Sequence, residues 1–167
     1  MNALLARRTR AYLFDCCGYA GVALATVPLG VVFHRHGWGE HRAAVLAVSA
    51  IPPLVATVVA SIQEAGPEAA TAGKRRERLS VTDTVGRPLT LGRALVRNAI
   101  KIGLPWQLGH VVAVGASFGG FARRDPLTLA AAAVTYPLLG GMVAAAWRGS
   151  GRALHDRVAG TQVRGRP

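Results

Sequence analysis

The chain has 167 residues, and its 20 lysines and arginines against 8 aspartates and glutamates give a formal net charge of +12. Such charge on a soluble protein would point to nucleic acid, but 51% of the residues are hydrophobic and they gather into four long runs, which argues against that class. The only cysteines, Cys16 and Cys17, are adjacent and offer neither a disulfide framework nor metal-ligand spacing.

In chain order, Arg7, Arg8 and Arg10 precede a first apolar run at 11–33 that contains Asp15, Cys16, Cys17 and Pro28. Two arginines before an apolar run look like an export signal, but Asp15 interrupts the run and no small-residue cleavage site closes it. It is read as an uncleaved helix. The connection at 34–42 holds His34, His36, Glu40 and His41; HxH spacing in a short loop is weak evidence for a metal, and none is expected. A second run at 43–62 carries Pro52 and Pro53.

The long loop 63–103 begins with a segment, 63–72, whose Ala, Gly, Pro and Glu content predicts flexibility. Leu79, Val81 and Val85, with a polar turn at Asp83, Thr84 and Gly86, predict a short hairpin. Thr90 is a candidate cap for a helix over 91–102, in which Arg93, Arg97 and Lys101 form a basic stripe beside Leu91, Leu95, Ala99 and Ile102. That is the layout of an interfacial helix, so Lys74, Arg75, Arg93 and Lys101 are expected at lipid headgroups. A third run, 104–121, contains Trp106, His110 and the GxxxG pair Gly115 and Gly119. After a four-residue connection the fourth run, 126–147, contains Pro137, and a tail follows over 148–167.

Each run is about long enough to cross a hydrocarbon core of ~30 Å. The expected fold is an all-α membrane protein, a single domain over 1–167. It comprises a bundle of four transmembrane helices, an interfacial amphipathic helix and a small cytoplasmic β-hairpin. Four crossings put the N-terminus, the long loop and the tail on one side with sixteen of the twenty basic residues. By the positive-inside rule that side is the cytoplasm. Eighteen of the basic residues are arginine and Ala and Gly are abundant, which suggests a GC-rich bacterial genome and hence the inner membrane. The expected partner is a bilayer containing anionic lipid, with a second copy or another protein left open and no nucleic acid.

Asp15 is the leading candidate for chemistry, because a carboxylate inside an apolar helix needs a partner. Arg8, seven residues earlier and about 10.5 Å away along the axis, is too far for a direct pair, which points to Arg97 or Arg157 from another element. His110 titrates in a range suited to relaying protons with Asp15. Leu154 to Thr161, LHDRVAGT, concentrates His155, Asp156 and Arg157 after the last run, and 161–163 is suited to add a strand to the hairpin. No nucleophile, phosphate-cradling loop or hydrolytic carboxylate pair is visible, so neither an enzyme nor a cofactor is expected.

At these residues the chain resembles the RDD family, membrane proteins named for one arginine and two aspartates. The match runs through Arg8, 11–13 and Asp15; through Thr71, 73–75, Leu79, Val81, Asp83, 86–89 and 91–98; and through 155–161. The resemblance implies Arg8, Asp15 and Asp156 as the eponymous residues. Ala69 and Arg78 depart from it, standing where glycines are usual. What it implies about function is thin, although some members have been linked to sodium/proton antiport. Two readings follow: a cation or proton transporter using Asp15 with Arg8, Tyr12, Arg97, His110, His155, Asp156 and Arg157 around it, or a non-transporting accessory protein that binds anionic lipid or a protein partner.

Overall fold

A computed structural model describes residues 3–147 and 152–166. The chain is mostly helical. Helices α1 (Ala3–Ala25) and α2 (Val27–Arg35) together form the first apolar stretch, interrupted at Thr26 just before Pro28. Helices α3 (Arg42–Ser49) and α4 (Ile51–Ala65) form the second, interrupted at Ala50 before the Pro52 and Pro53 pair. Then come α5 (Ala72–Arg76), β1 (Leu79–Asp83), α6 (Leu91–Asn98), a π-helical turn (Ala99–Gly103), α7 (Leu104–Ser117), α8 (Pro126–Trp147), α9 (Leu154–Val158) and β2 (Thr161–Gly165).

Three stretches among the described residues are long and apolar enough to cross a membrane: Leu4–Arg35, Arg42–Ala65 and Pro126–Ala144. The expected third span is shorter than its apolar run. Helix α7 has 14 residues, about 21 Å. It stops where Gly119 takes φ 71°, with its N–H on the Ala116 carbonyl at 2.9 Å and the Gly120 N–H on the Gly115 carbonyl at 2.7 Å. This paired closure is the Schellman stop, which a left-handed glycine makes cheap. Asp125 then starts α8 by accepting from the Thr128 N–H at 2.7 Å, with Pro126 at the first helical position. Gly115 lets α7 and α8 close: a side chain there would overlap the Thr128 hydroxyl. Arg42 ties α3 to the same corner through Asp125 at 2.7 Å.

The prolines leave a traceable vacancy. Pro53 has no N–H for the Ser49 carbonyl four residues back. His110 Nδ1 takes that place at 2.7 Å, and its Nε2 accepts from the Trp106 indole at 3.0 Å, so the proton sits on Nδ1. His110 therefore bridges α7 to the break between α3 and α4 and does not face Asp15. His110→Phe is expected to cost about 1–3 kcal/mol in unfolding measurements, because a carbonyl loses its donor. Adding Pro53→Ala restores the N–H and recovers part of that loss; additive effects of the two substitutions would refute this bridge.

At the other end of the molecule the predicted local hairpin is replaced by a long-range sheet. The turn after β1 forms, with Asp83 N–H on the Arg87 carbonyl and Asp83 Oδ1 accepting from Val85 and Arg87 N–H groups. Pro88, without an N–H, follows directly and no return strand forms. Instead β1 pairs antiparallel with β2, Val81 opposite Val163. Inward-facing Leu79, Val81 and Val163 pack with Ala11, Leu89 and Ala94 into a small apolar core. Helix α6 has the expected Thr90 cap. It runs on through the π turn into α7 and buries Ala94, Arg97 and Asn98, so it does not lie free as an interfacial helix. The segment 63–72, expected to be flexible, is likewise built into the fold, with Glu64, Ala70 and Thr71 buried.

Ala69 and Arg78 both occupy the left-handed region, φ 43° and 51°. This gives a physical reason for glycine at those positions, since a Cβ there costs about 1–2 kcal/mol. Ala69→Gly and Arg78→Gly are each expected to stabilise the protein by about 0.5–1 kcal/mol, the relief being offset in part by a more flexible unfolded chain. Unfolding midpoints that fall in both variants would contradict this account.

Candidate functional site

Arg8, Ala11 and Asp15 recur at spacings of three and four residues, so they share one face of α1. Ala11 is small and buried, and α5 approaches this face closely. The Asp15 carboxylate accepts the Gly73 N–H at 2.8 Å and the Thr71 hydroxyl at 2.6 Å. It thus satisfies the first turn of α5 in place of Thr71, whose own side chain makes no cap.

From α5, Lys74 Nζ lies 4.0 Å from Asp15 and 2.7 Å from Glu64 on α4. Glu64 is fully buried and accepts Arg97 Nη1 on both oxygens at 2.7 Å, and Asn98 Nδ2 at 2.9 Å. Arg97, 1% exposed, reaches Asp156 on α9 with Nε at 3.1 Å. Asp156 accepts Arg8 Nη2 at 2.6 Å, the Ala153 N–H at 3.1 Å and the Thr161 hydroxyl at 3.2 Å. Arg8 returns the path to α1. The result is a path of alternating charge, Asp15, Lys74, Glu64, Arg97, Asp156 and Arg8, drawn from α1, α5, α4, α6 and α9; its first and last members share α1, whose backbone completes the ring.

Burial alone would raise the Asp156 carboxyl, but the charges of Arg97 and Arg8 hold it well below the usual carboxylate range. His155 is pushed down to about 3 by burial and by Arg97, so it is neutral. Its Nε2 lies 3.8 Å from Asp156, and its Nδ1 has no partner among the described residues. Lys101, one helical turn beyond Arg97, is lowered to about 7 by burial and by Lys74. Its ammonium rests over the Tyr12 ring at 5.1 Å from the centroid.

The structure brings together Arg8, Asp15, Arg97 and Asp156, with Tyr12 and His155 beside them. It does not give Asp15 the arginine partner expected: Arg97 is occupied by Glu64 and Asp156, while Arg157 points off the exposed face of α9 to the Arg152 carbonyl at 3.2 Å. His110 lies elsewhere, as described. Lys74 and Lys101 are corrected as well. Both are buried in or beside the ring and are not exposed headgroup contacts, because α4, α5 and α6 pack over them. Arg75 and Arg93 remain exposed, Arg93 3.6 Å from Asp83. Sequence reasoning missed Glu64, which follows the expected end of the second run by two residues. A signal was present: Thr57, Ser61 and Glu64 form a polar helical stripe, and it faces Ala94, Arg97 and Asn98 through Ser61 to the Ala94 carbonyl at 3.1 Å.

Against known proteins, the model described as RDD family matches residues 2–160. No curated protein and no solved structure matches the chain.

Proposed function

The chain belongs to the RDD family, and from that premise we propose that it is a multi-pass membrane accessory protein, neither a transporter nor an enzyme, held at an anionic bilayer by its basic end. The observation that carries this reading is the saturation of the three ring carboxylates. Asp15 is occupied by Thr71, Gly73 and Lys74, Glu64 by Lys74, Arg97 and Asn98, and Asp156 by Arg8, Arg97, Thr161 and Ala153. A transported cation would have to displace a buried lysine or arginine, whose own unpaired charge then costs several kcal/mol. The ring is therefore a lock that holds α1, the long loop and the tail together. The rival reading, sodium or proton transport through Asp15, requires that lock to open in every cycle.

The orientation we propose places the ring, both termini and the long loop in the cytoplasm of a bacterial cell, with α7 as a short fourth crossing. A reporter fused after Pro167 that is active only outside the cytoplasm would reverse it. For function, purified protein in sealed vesicles is given a sodium or pH gradient and internal pH is followed. The expected trace matches that of protein-free vesicles. Dissipation by the wild type, abolished in Asp15→Asn, would replace the accessory reading with transport.

A further inference from the structure

Between α1 and α8 lies a cavity of about 800 Å³ whose two ends differ chemically. Its polar end is formed by Arg8, Lys74, Arg97, Lys101 and His155, and none of the three ring carboxylates lines it. Each carboxylate faces its partners within the ring, so the ring presents its cations to the cavity. The walls leading away are apolar: Ile102 in the π turn, Trp106 on α7, and Leu139, Met142 and Val143 on α8. Leu139 and Val143 are also among the exposed apolar residues of α8, so the apolar wall continues onto the surface of a helix long enough to cross a membrane.

The polar end carries unspent binding capacity. Asp15, Glu64 and Asp156 supply three negative charges against Arg8, Lys74, Arg97 and Lys101. The cationic side chains outnumber the carboxylates by one, and an anion beside Lys101 would hold its ammonium in the charged form. Lys101 is the natural location of that surplus: among the described residues its ammonium has no hydrogen bond or ion pair, only the Tyr12 ring. Two further polar atoms at the cavity, His155 Nδ1 and the Tyr19 hydroxyl, are buried without a partner among the described residues. His155 is only 7% exposed. Buried polar atoms left unpaired are costly, and a surplus buried cation more so, unless a ligand completes them.

We propose that this cavity is a binding site for one molecule of a monoanionic phospholipid. Its phosphodiester accepts from Lys101, and its acyl chain lies along Trp106 and α8. A single negative charge neutralises the surplus, and an apolar tail matches the rest of the lining, as in basic pockets between membrane helices. A free phosphate would satisfy the polar end but leave the apolar walls empty. The site deepens the accessory reading and rests on it only for the presence of a bilayer.

The test is native mass spectrometry of the full chain in neutral detergent, supplied with phosphatidylglycerol, phosphatidylcholine or inorganic phosphate. The expected result is one retained phosphatidylglycerol per chain, no retained phosphatidylcholine, and no displacement by millimolar phosphate. Lys101→Met should reduce retention about ten-fold while Lys101→Arg keeps it; Arg75→Gln and Arg93→Gln should retain it as wild type. Met142→Trp, which fills the apolar end away from the ring, should also lose the lipid and serves as the second arm if Lys101→Met fails to accumulate. Equal retention of both lipids, full displacement by phosphate, wild-type retention in both Lys101→Met and Met142→Trp, or a lipid-free dimer would each overturn the proposal. Its failure is read from lipid retention, whereas failure of the accessory reading is read from ion flux.

Discussion

Replacing Glu64 by glutamine is expected to cost about 3–5 kcal/mol of stability, among the largest losses available to any single substitution in the chain. Glu64 is the shared acceptor of two buried cations, Lys74 at 2.7 Å and Arg97 at 2.7 Å. A glutamine keeps the volume and one acceptor but removes the charge, so both cations remain in a dry interior with a neutral neighbour. The desolvation of those cations is then compensated only in part, by Asp15 near Lys74 and by Asp156 on Arg97, and breaking a buried pair costs more than the pair contributes. Glu77→Gln is the internal control: its partner Arg10 is largely solvent-exposed, and its loss is expected to stay below about 1 kcal/mol. The measurement is thermal unfolding of the purified protein in detergent, together with proteolysis of the 66–103 segment. Equal midpoints for the two variants would show that the ring does not hold the long loop.

Gly73→Ala is expected to act through shape where Glu64→Gln acts through charge. A Cβ at position 73 would lie inside the contact radius of the Ala11 carbonyl oxygen and 2.8 Å from Asp15 Oδ1. Backbone atoms of α1 cannot rotate away as a side chain would, so α5 must lift off α1. The lift separates Asp15 from both the Gly73 N–H and the Thr71 hydroxyl, adding two lost hydrogen bonds to the overpacking. Together these effects are expected to remove about 2–4 kcal/mol. Asp15→Asn should be milder than Gly73→Ala in the same unfolding assay, because it leaves the helix contact intact. The reverse order would mean that the carboxylate charge, and not the close approach of α5, anchors this corner.

These expectations depend on residues that differed in how legible they were. The start of helix α8 was readable, because an apolar run opened by Asp125–Pro126 states both burial and start. The strand contributed by 161–163 was readable from its composition, as was the Thr90 cap. The third run was misleading: hydropathy continues to Phe121, yet Gly119 and Gly120 close the helix at Ser117, and hydropathy does not register a backbone stop. Lys74 was misassigned for a related reason. A lysine beside an apolar stripe has the same local pattern whether it meets a headgroup or a carboxylate from another helix.

By itself, the sequence determined the apolar stretches, the short connections that fold them back, the excess of basic charge and the presence of carboxylates that required cationic partners. Tertiary structure alone decided the pairing. Asp15 meets Thr71 and Gly73, 56 and 58 residues on, and Arg8 meets Asp156, 148 residues on. Hydrophobic periodicity is a local property and survives in one dimension. Which buried cation neutralises which carboxylate depends on distances of a few ångströms between elements remote in the chain, and those exist only after α1, α4, α5, α6 and α9 have packed.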